Sequence, residues 1–174
     1  KYLTYTLTAG LLLIAAAGIT YALTGTLEFT PGGIFGDVDL SQSMAVVIFL
    51  LFLGGVGVKA GIMPLHSWLP SAMAAPTPVS ALLHAVAVVK SGVFGVIRVV
   101  GFIFGPDVMA EFGLNEILMV LAGITIIVAS LLAFAQDNLK RRLAYSTVGH
   151  LSYIVLGAAL LTETGLIGSM MHIS

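Results

Sequence analysis

Long apolar stretches separated by short polar segments are the dominant pattern of this sequence. A membrane-spanning helix needs about 20 predominantly apolar residues, and hydropathy windows of that length identify such helices. The sequence shows no alternation of apolar and polar residues long enough to predict a strand, and an open sheet would leave backbone groups unsatisfied in lipid. We therefore predict an all-α, multi-pass transmembrane helix bundle. The predicted crossings are residues 2–23, 44–73, 79–104, 115–135 and 143–161, with the start of another at residue 165.

The second predicted crossing is discontinuous. Its purely apolar part, Met44–Val58, has 15 residues, which span roughly 22 Å as an α-helix. The hydrocarbon core is about 30 Å thick, so the chain has to continue through Lys59 to about Met73. Gly61 loosens a helix, and Pro64 removes a backbone donor and clashes with the preceding turn. We therefore predict one broken helix, interrupted at Gly61 and Pro64.

Composition places this chain of 174 residues in a membrane rather than in water. Hydrophobic residues make up 59% and charged residues 9%, whereas soluble domains are about a quarter charged, and the mean hydropathy is +1.10. This balance excludes a soluble enzyme. The formal net charge of −1 excludes a nucleic-acid partner. Because the sequence has no cysteine, thiolate zinc sites and iron–sulfur clusters are excluded, and we expect no metal and no cofactor.

The ends of the chain and its basic residues indicate how it sits in the membrane. The chain begins at Lys1 and ends at Ser174 inside an apolar run, so we expect residues 1–174 to be a single membrane domain within a larger subunit. Its partners are then lipid and the remaining helices of that subunit. The loops after the first, third and fifth crossings contain no basic residue, whereas Lys1 and Lys140–Arg142 lie on the opposite side. The positive-inside rule places that side in the cytoplasm, and we expect an integral protein of a prokaryotic inner membrane.

Two lysines lie within predicted crossings. An ionisable side chain inside the bilayer costs about 2.5–3.5 kcal/mol on insertion scales, so such residues are functional candidates. Lys59 lies midway along the broken crossing, and a broken helix beside a buried charge is how transporters build an ion site in the membrane. Lys90 lies in the middle of the third crossing. The alternative for Lys59 is a structural lysine that donates to carbonyls freed by the break, and Arg98 serves equally well as an interface anchor.

Histidines extend this set of titratable residues. His84 precedes Lys90 by six residues, so the two side chains diverge by about 120° and a water chain between them is more plausible than contact. His150 belongs to a polar stripe on the fifth crossing, and we assign His66 a structural role. The histidines fit a proton relay with the lysines. The alternatives are interhelical hydrogen bonds in a purely structural subunit and axial ligation of a haem by His84 and His150.

Two segments resemble a known family. They are Lys59–Lys90, which contains MPLHSWLP, and Gln136–His150, which contains LKRRLAYS. They resemble the proton-translocating antiporter-like subunits of respiratory complex I, Mrp antiporters and membrane-bound hydrogenases, and His84 favours the L-subunit or MrpA-like branch. The resemblance implies translocation of protons, or exchange of cations for protons, across an energy-transducing membrane. It also implies partner subunits of a respiratory or antiporter complex, such as an NADH:quinone oxidoreductase, and no bond chemistry in this chain.

The resemblance also assigns roles to individual residues. Lys59 corresponds to the central lysine on the family's broken helix, Lys90 to the connecting lysine of the next helix, and His84 to the histidine of that branch. Lys140 matches the lysine that opens a downstream motif, although its charge alone indicates a cytoplasmic anchor, and His172 matches a later histidine. Both are predicted, like Lys59, Lys90, His84 and His150, to take part in proton translocation. The family pairs its central lysine with a glutamate on an earlier helix, but no acid of this sequence lies deep inside a predicted crossing, since Glu116 is only the second residue of the fourth.

Overall fold

A computed structural model describes residues 2–25, 28, 41–62, 65–85, 88–160 and 162–173. These residues are mostly helical and include no strand, which confirms the predicted all-α class. The elements are α1 (Tyr2–Thr24), α2 (Gln42–Ala60), α3 (Trp68–Ala72), α4 (Thr77–Ala85), α5 (Val88–Arg98), a π-helical segment (Val99–Phe104), α6 (Gly105–Glu111), α7 (Leu114–Phe134), α8 (Leu139–Ala159) and α9 (Glu163–Ile173).

Glycines let α2 approach α1 closely. A Cβ added to Gly54 would lie 2.9 Å from Leu12 Cδ1, and one added to Gly55 would lie 3.0 Å from Leu13 Cβ. Helices in membranes associate largely through van der Waals packing, for which small residues at the contact let the backbones approach. The two glycines therefore bring the α2 backbone against the side chains of α1.

The C-terminal end of α2 is a Schellman motif. Gly61 adopts a left-handed conformation with φ of 72°, which costs an L-residue with a side chain about 1–2 kcal/mol. The Ile62 N–H donates to the Gly57 carbonyl at 3.1 Å, and the Gly61 N–H donates to the Val58 carbonyl at 3.2 Å. These two bonds satisfy carbonyls that the end of the helix would otherwise leave without a partner. The helix therefore ends at Ala60, inside the predicted crossing.

The next described residues of the second predicted crossing, up to α3, are irregular. Residues 65–67 form turns and α3 has five residues, so this crossing is a discontinuous helix. Pro64 lies outside the described residues. Irregular backbone at membrane depth is stable only where protein or a wet cavity covers it, and α3 meets this condition because it packs against α1 and α8.

Three of the described elements belong to the third predicted crossing, residues 79–104. They are α4, α5 and the π-helical segment, and residues 86–87 lie outside the described residues. A π-helix is rare and is found frequently at functional sites, and no sequence pattern predicted this one. The segment carries Phe104, which is buried with its ring edge-on to Phe49 at 5.6 Å and to Phe52 at 6.2 Å. These contacts attach the π-helical segment to α2.

The helices α7 and α8 form an antiparallel hairpin with extensive mutual packing. The helix α8 begins at Leu139, four residues before the predicted start of the fifth crossing at Leu143. Asn138 caps the helix by accepting the Lys140 N–H at 3.0 Å. Hydropathy excluded the basic cluster from the crossing, but a capped helix start depends on backbone hydrogen bonds and not on hydropathy.

Three of the described helices are long and apolar enough to span a membrane. They correspond to the first crossing, the apolar part of the second and the fourth. In the third predicted crossing, residues 86–87 lie outside the described residues, and the fifth carries a basic cluster and His150. These two crossings stay predictions. The three described helices that are long and apolar enough to span a membrane are Leu3–Thr24, Gln42–Ala60 and Leu114–Phe134.

Candidate functional site: a lysine–histidine cavity beside a broken helix

Three of the predicted site residues line one cavity. Lys90 of α5, His150 of α8 and His172 of α9 surround a space of about 290 Å³. Lys90 is half-buried, whereas the two histidines are more exposed. The remaining lining is apolar except for Thr147, so the polar groups converge on an otherwise hydrophobic space. This Lys90 cavity is also lined by Val89, Val93, Leu151, Ile154 and Ile173.

The two histidine rings of the Lys90 cavity are close neighbours. Their centroids are 6.0 Å apart with an interplanar angle of 32°. The position of His172 depends on close packing of α9 against α8. A Cβ on Gly165 would lie 2.6 Å from the Gly157 carbonyl oxygen, and Ser169 Oγ donates to the Ile154 carbonyl at 2.9 Å.

Lys59 lies in a different space. It is in the last turn of α2 and is exposed, and it lines a cleft of about 520 Å³ between α1, α2 and α5. Arg98 lines the same Lys59 cleft. The Arg98 guanidinium lies 4.9 Å from the ring centroid of Phe94 and 4.8 Å from that of Phe102, which is within cation–π range. The cleft therefore has two cations on its lining.

The contact between α2 and α5 lies between the two lysines. A Cβ on Gly92 would lie 2.6 Å from the carbonyl carbon and the Cβ of Lys59, and it would also clash with the Ala60 nitrogen. One turn later, a Cβ on Gly95 would lie 2.8 Å from Val56 Cγ1. We call the first of these the Gly92 contact. Lys59 is part of this contact, whereas Lys90 is two residues from Gly92 and therefore about 200° around the axis of α5. The two lysines line separate spaces.

The side chains after the break hold it in place. Trp68, whose place near the cytoplasmic end of its predicted crossing would suit an aromatic anchor at the membrane interface, is instead buried, and its indole N–H donates to the Val58 carbonyl. The broken helix leaves Val58 with a carbonyl that side-chain donors can reach, and this outweighs the usual interfacial preference of tryptophan. Tyr5 Oη lies 2.6 Å from Ser67 Oγ, which ties the same segment to α1.

Two other predicted residues lie close to the break. His66 Nδ1 is a buried polar atom, and the side chains that the structure describes provide it with no hydrogen-bond partner; a buried group of this kind is where an ordered water binds. Lys140 Nζ donates to the Ala75 carbonyl at 3.3 Å, between α3 and α4. The side chain of His84 lies outside the described residues. Within the described part of the chain, no group of His, Asp or Glu is arranged to hold a metal ion.

Sequence analysis missed three residues that shape the site. Thr147 lines the Lys90 cavity, Gly92 lies at the contact between the lysine-bearing helices, and Trp68 binds the end of the broken helix. The spacing of Thr147 and His150 on one helix face was a usable signal, because residues three apart are neighbours. Gly92 gave no signal of its own, since a glycine in an apolar helix does not reveal which neighbour it faces.

The fold and the site together define a class of protein. Amine and imidazole side chains that line a shared cavity, next to a broken membrane helix, are typical of ion-translocating membrane subunits. The chain belongs to the family described as NADH:quinone oxidoreductase/Mrp antiporter, TM, whose sequence model matches residues 1–174. The resemblance read from the two sequence motifs is thereby confirmed, as is a location in the membrane.

Individual relatives support the family assignment. The chain is 34% identical over 173 residues to NAD(P)H-quinone oxidoreductase chain 4-1 of Synechocystis sp., covering 99% of this chain and 32% of that protein. It is 37% identical over 166 residues to hydrogenase-4 component B of Escherichia coli, covering 86% and 23%. A chain in the structure of the Mrp complex from Dietzia sp. superposes with a TM-score of 0.82 at 30% identity, covering 98% and 18%. The chain thus spans a third or less of the length of these relatives.

Proposed function

We propose that this chain carries the middle section of a proton path in an ion-translocating complex of a prokaryotic cell membrane. The convergence of Lys90, His150 and His172 on one cavity supports this proposal most directly. All three side chains bind and release protons, and they come from three different helices. A structural subunit would not need three basic side chains around a shared space in lipid, where each one is costly.

The lining of the Lys90 cavity favours protons over metal cations. Its described ionisable groups offer amine and imidazole nitrogens, whereas hard cations such as Ca²⁺ and Mg²⁺ prefer oxygen ligands. At about 30 Å³ per water molecule, a cavity of this size holds on the order of ten waters. A short water chain that connects Lys90 with the two histidines is therefore sufficient to move a proton between the three helices.

Lys59 has a separate role in this proposal. Lys59 binds and releases protons within the Lys59 cleft, which lies on the other side of the Gly92 contact from Lys90. The proton path from Lys59 to Lys90 passes around this contact. The left-handed end of α2 and the buried His66 Nδ1 provide sites at which water enters the break. His84 is proposed to take part on the strength of the sequence alone. The carboxylate partner of Lys59 would come from another part of the subunit.

The energy for transport is proposed to come from partner subunits. The matched proteins include a quinone oxidoreductase chain and a hydrogenase component, and the Mrp neighbour is part of a complex. This chain would then perform no bond chemistry and would translocate protons while its partners react. The family comparisons do not favour a haem-binding cytochrome or a purely structural subunit.

The test uses the full-length parent complex in proteoliposomes with a fluorescent pH indicator. We expect Lys90→Met to leave the complex assembled and to abolish coupled proton movement, because the cavity loses its only described amine. Lys90→Arg is expected to fail as well, since arginine keeps the charge but does not release its proton. Arg141→Gln is the control, because it removes a cation from an exposed position of α8. Wild-type proton movement in Lys90→Met would contradict the proposal.

A further inference from the structure

Lys140 makes a specific contact that its position in a basic cluster does not explain. Its ammonium donates to the Ala75 carbonyl at 3.3 Å, across 65 residues of sequence. The same carbonyl accepts the hydroxyl of Ser80 at 3.0 Å, and Ser80 is buried. A carbonyl oxygen has two lone pairs, so these two donors complete its hydrogen bonding. The three residues fasten the turn between α3 and α4 to the beginning of α8.

The position of Lys140 in its helix makes this contact more significant. Lys140 lies in the first turn of α8, which contains no acidic residue, and the positive end of a helix dipole disfavours a cation there. The Ala75 carbonyl supplies the compensating negative dipole. Arg141 lies beside it in the same turn, is exposed and shows no such bond in the described structure. A general preference for cytoplasmic cations would not distinguish these two neighbours.

The fastened turn is connected to the broken helix. Met73, Ala74 and Ala75 each donate a backbone hydrogen bond to the residue three positions earlier, at 3.2–3.4 Å, so the turn continues directly from α3. At the other end of α3, the indole of Trp68 donates to the Val58 carbonyl, one residue before Lys59. A displacement of the turn is therefore transmitted through a five-residue helix to the end of α2.

We propose that Lys140 is a positioning residue that holds α3 against α8 and thereby fixes the end of the broken helix, and that it does not carry protons. This inference rests on the proposed function, because it concerns the geometry of the same path. It differs from the role that sequence resemblance gave to Lys140 as one of the titrating residues. A positioning residue needs a permanent donor, whereas a proton carrier needs a donor that can be deprotonated.

Arginine separates these two requirements. It keeps a charged donor in place and remains protonated under all physiological conditions. In the reconstituted parent complex, we expect Lys140→Arg to keep most of the wild-type proton movement per turnover and its pH profile. We expect Lys140→Met to lower proton movement by about tenfold, because the turn between α3 and α4 then loses its bond to α8. A bond from a charged donor is among the stronger hydrogen bonds. Arg141→Gln, which removes a neighbouring charge, is expected to behave as wild type.

A structural measurement that does not depend on transport accompanies these assays. Met73 is buried and lines a small space of about 160 Å³ together with Lys140. A maleimide is used to label the cysteine introduced by Met73→Cys. Mass spectrometry measures the rate of labelling within residues 1–174, which contain no native cysteine. Arg141 lines the same small space, so it does not serve as a control for labelling. We expect labelling to be several-fold faster when Lys140→Met is combined with Met73→Cys, and unchanged with Lys140→Arg.

Each outcome decides the proposal. It is overturned if Lys140→Arg abolishes proton movement while Met73→Cys stays protected, because Lys140 is then a proton carrier. It is also overturned if Lys140→Met leaves labelling unchanged, or if labelling rises while proton movement stays at the wild-type level. If the wild-type complex moves no protons, the proposed function fails, but the labelling experiment still reports whether Lys140 holds the turn.

Discussion

Replacing Gly92 by alanine tests the contact that separates the two lysines. The added methyl group would lie 2.6 Å from the carbonyl carbon and the Cβ of Lys59 and would also clash with the Ala60 nitrogen. Carbon atoms normally approach to about 3.5–4.0 Å. Two of the three clashing atoms belong to the backbone, so no rotamer change relieves them. The end of α2 has to move away from α5 by about 1 Å.

The energetic cost of this movement follows from the kind of contact. Overpacking a close helix contact costs about 1–3 kcal/mol, and the gain in helix propensity from glycine to alanine offsets up to about 1 kcal/mol. We expect a net destabilisation of about 1–2 kcal/mol. For a domain of this size, that lowers the unfolding midpoint by about 2–4 °C for each kcal/mol. The movement also displaces the Lys59 backbone, so proton transport should fall by more than the stability loss explains.

Two other glycines serve as graded controls. Gly95→Ala meets only the Val56 side chain, whose Cγ1 lies 2.8 Å from the added atom, so a smaller effect is expected. Gly123 of α7 has nothing within 4 Å of an added Cβ, and Gly123→Ala should be neutral. Thermal unfolding and proton transport of the purified parent complex are measured for all three variants. The reasoning is refuted if Gly92→Ala matches Gly123→Ala in both measurements.

Two further predictions concern the break itself. Gly61→Ala forces a side chain into the left-handed region and should lower the free energy of unfolding by about 1–2 kcal/mol. Gly61→Asn should lower it by less, because asparagine tolerates that region. Equal midpoints of the two variants in thermal unfolding would contradict this prediction. Trp68→Phe removes the indole donor to the Val58 carbonyl, which keeps the Gly61 N–H as a donor, and should lower the free energy of unfolding by about 0.5–1.5 kcal/mol. Circular dichroism with heating measures the loss, and an unchanged midpoint would show that the bond contributes nothing.

The sequence predicts the helical framework well because hydropathy and helix breaking are local properties. The crossing at residues 115–135 corresponds to α7, which begins and ends within one residue of the predicted bounds. The interruption near Gly61 follows from the short apolar run and from glycine's tolerance of a positive φ. The start of α8 at Leu139 was missed because hydropathy reports lipid exposure and not capping. The π-helical segment has no local signature and depends on tertiary packing.

The arrangement of the site was harder to predict because it depends on how helices face one another. Lys59 and Lys90 were expected on a single path with His84, but nothing in their spacing shows that α5 turns Lys90 towards α8 and α9. The approach of His172 to His150 at 6.0 Å comes from the packing of α9 on α8. Only tertiary contacts bring together residues from three separate helices. The helical periodicity of a sequence carries no information about these contacts.

Proton translocation by the double variant His150→Gln and His172→Gln measures the central claim most directly. Glutamine keeps hydrogen-bonding capacity but does not exchange protons at neutral pH, so the cavity keeps its polarity and loses both imidazoles. In proteoliposomes that contain the assembled parent complex, we predict that the double variant forms no pH gradient while the catalytic turnover of the complex continues. A gradient of wild-type size and rate in this variant would show that protons do not pass through the space shared by Lys90 and the two histidines.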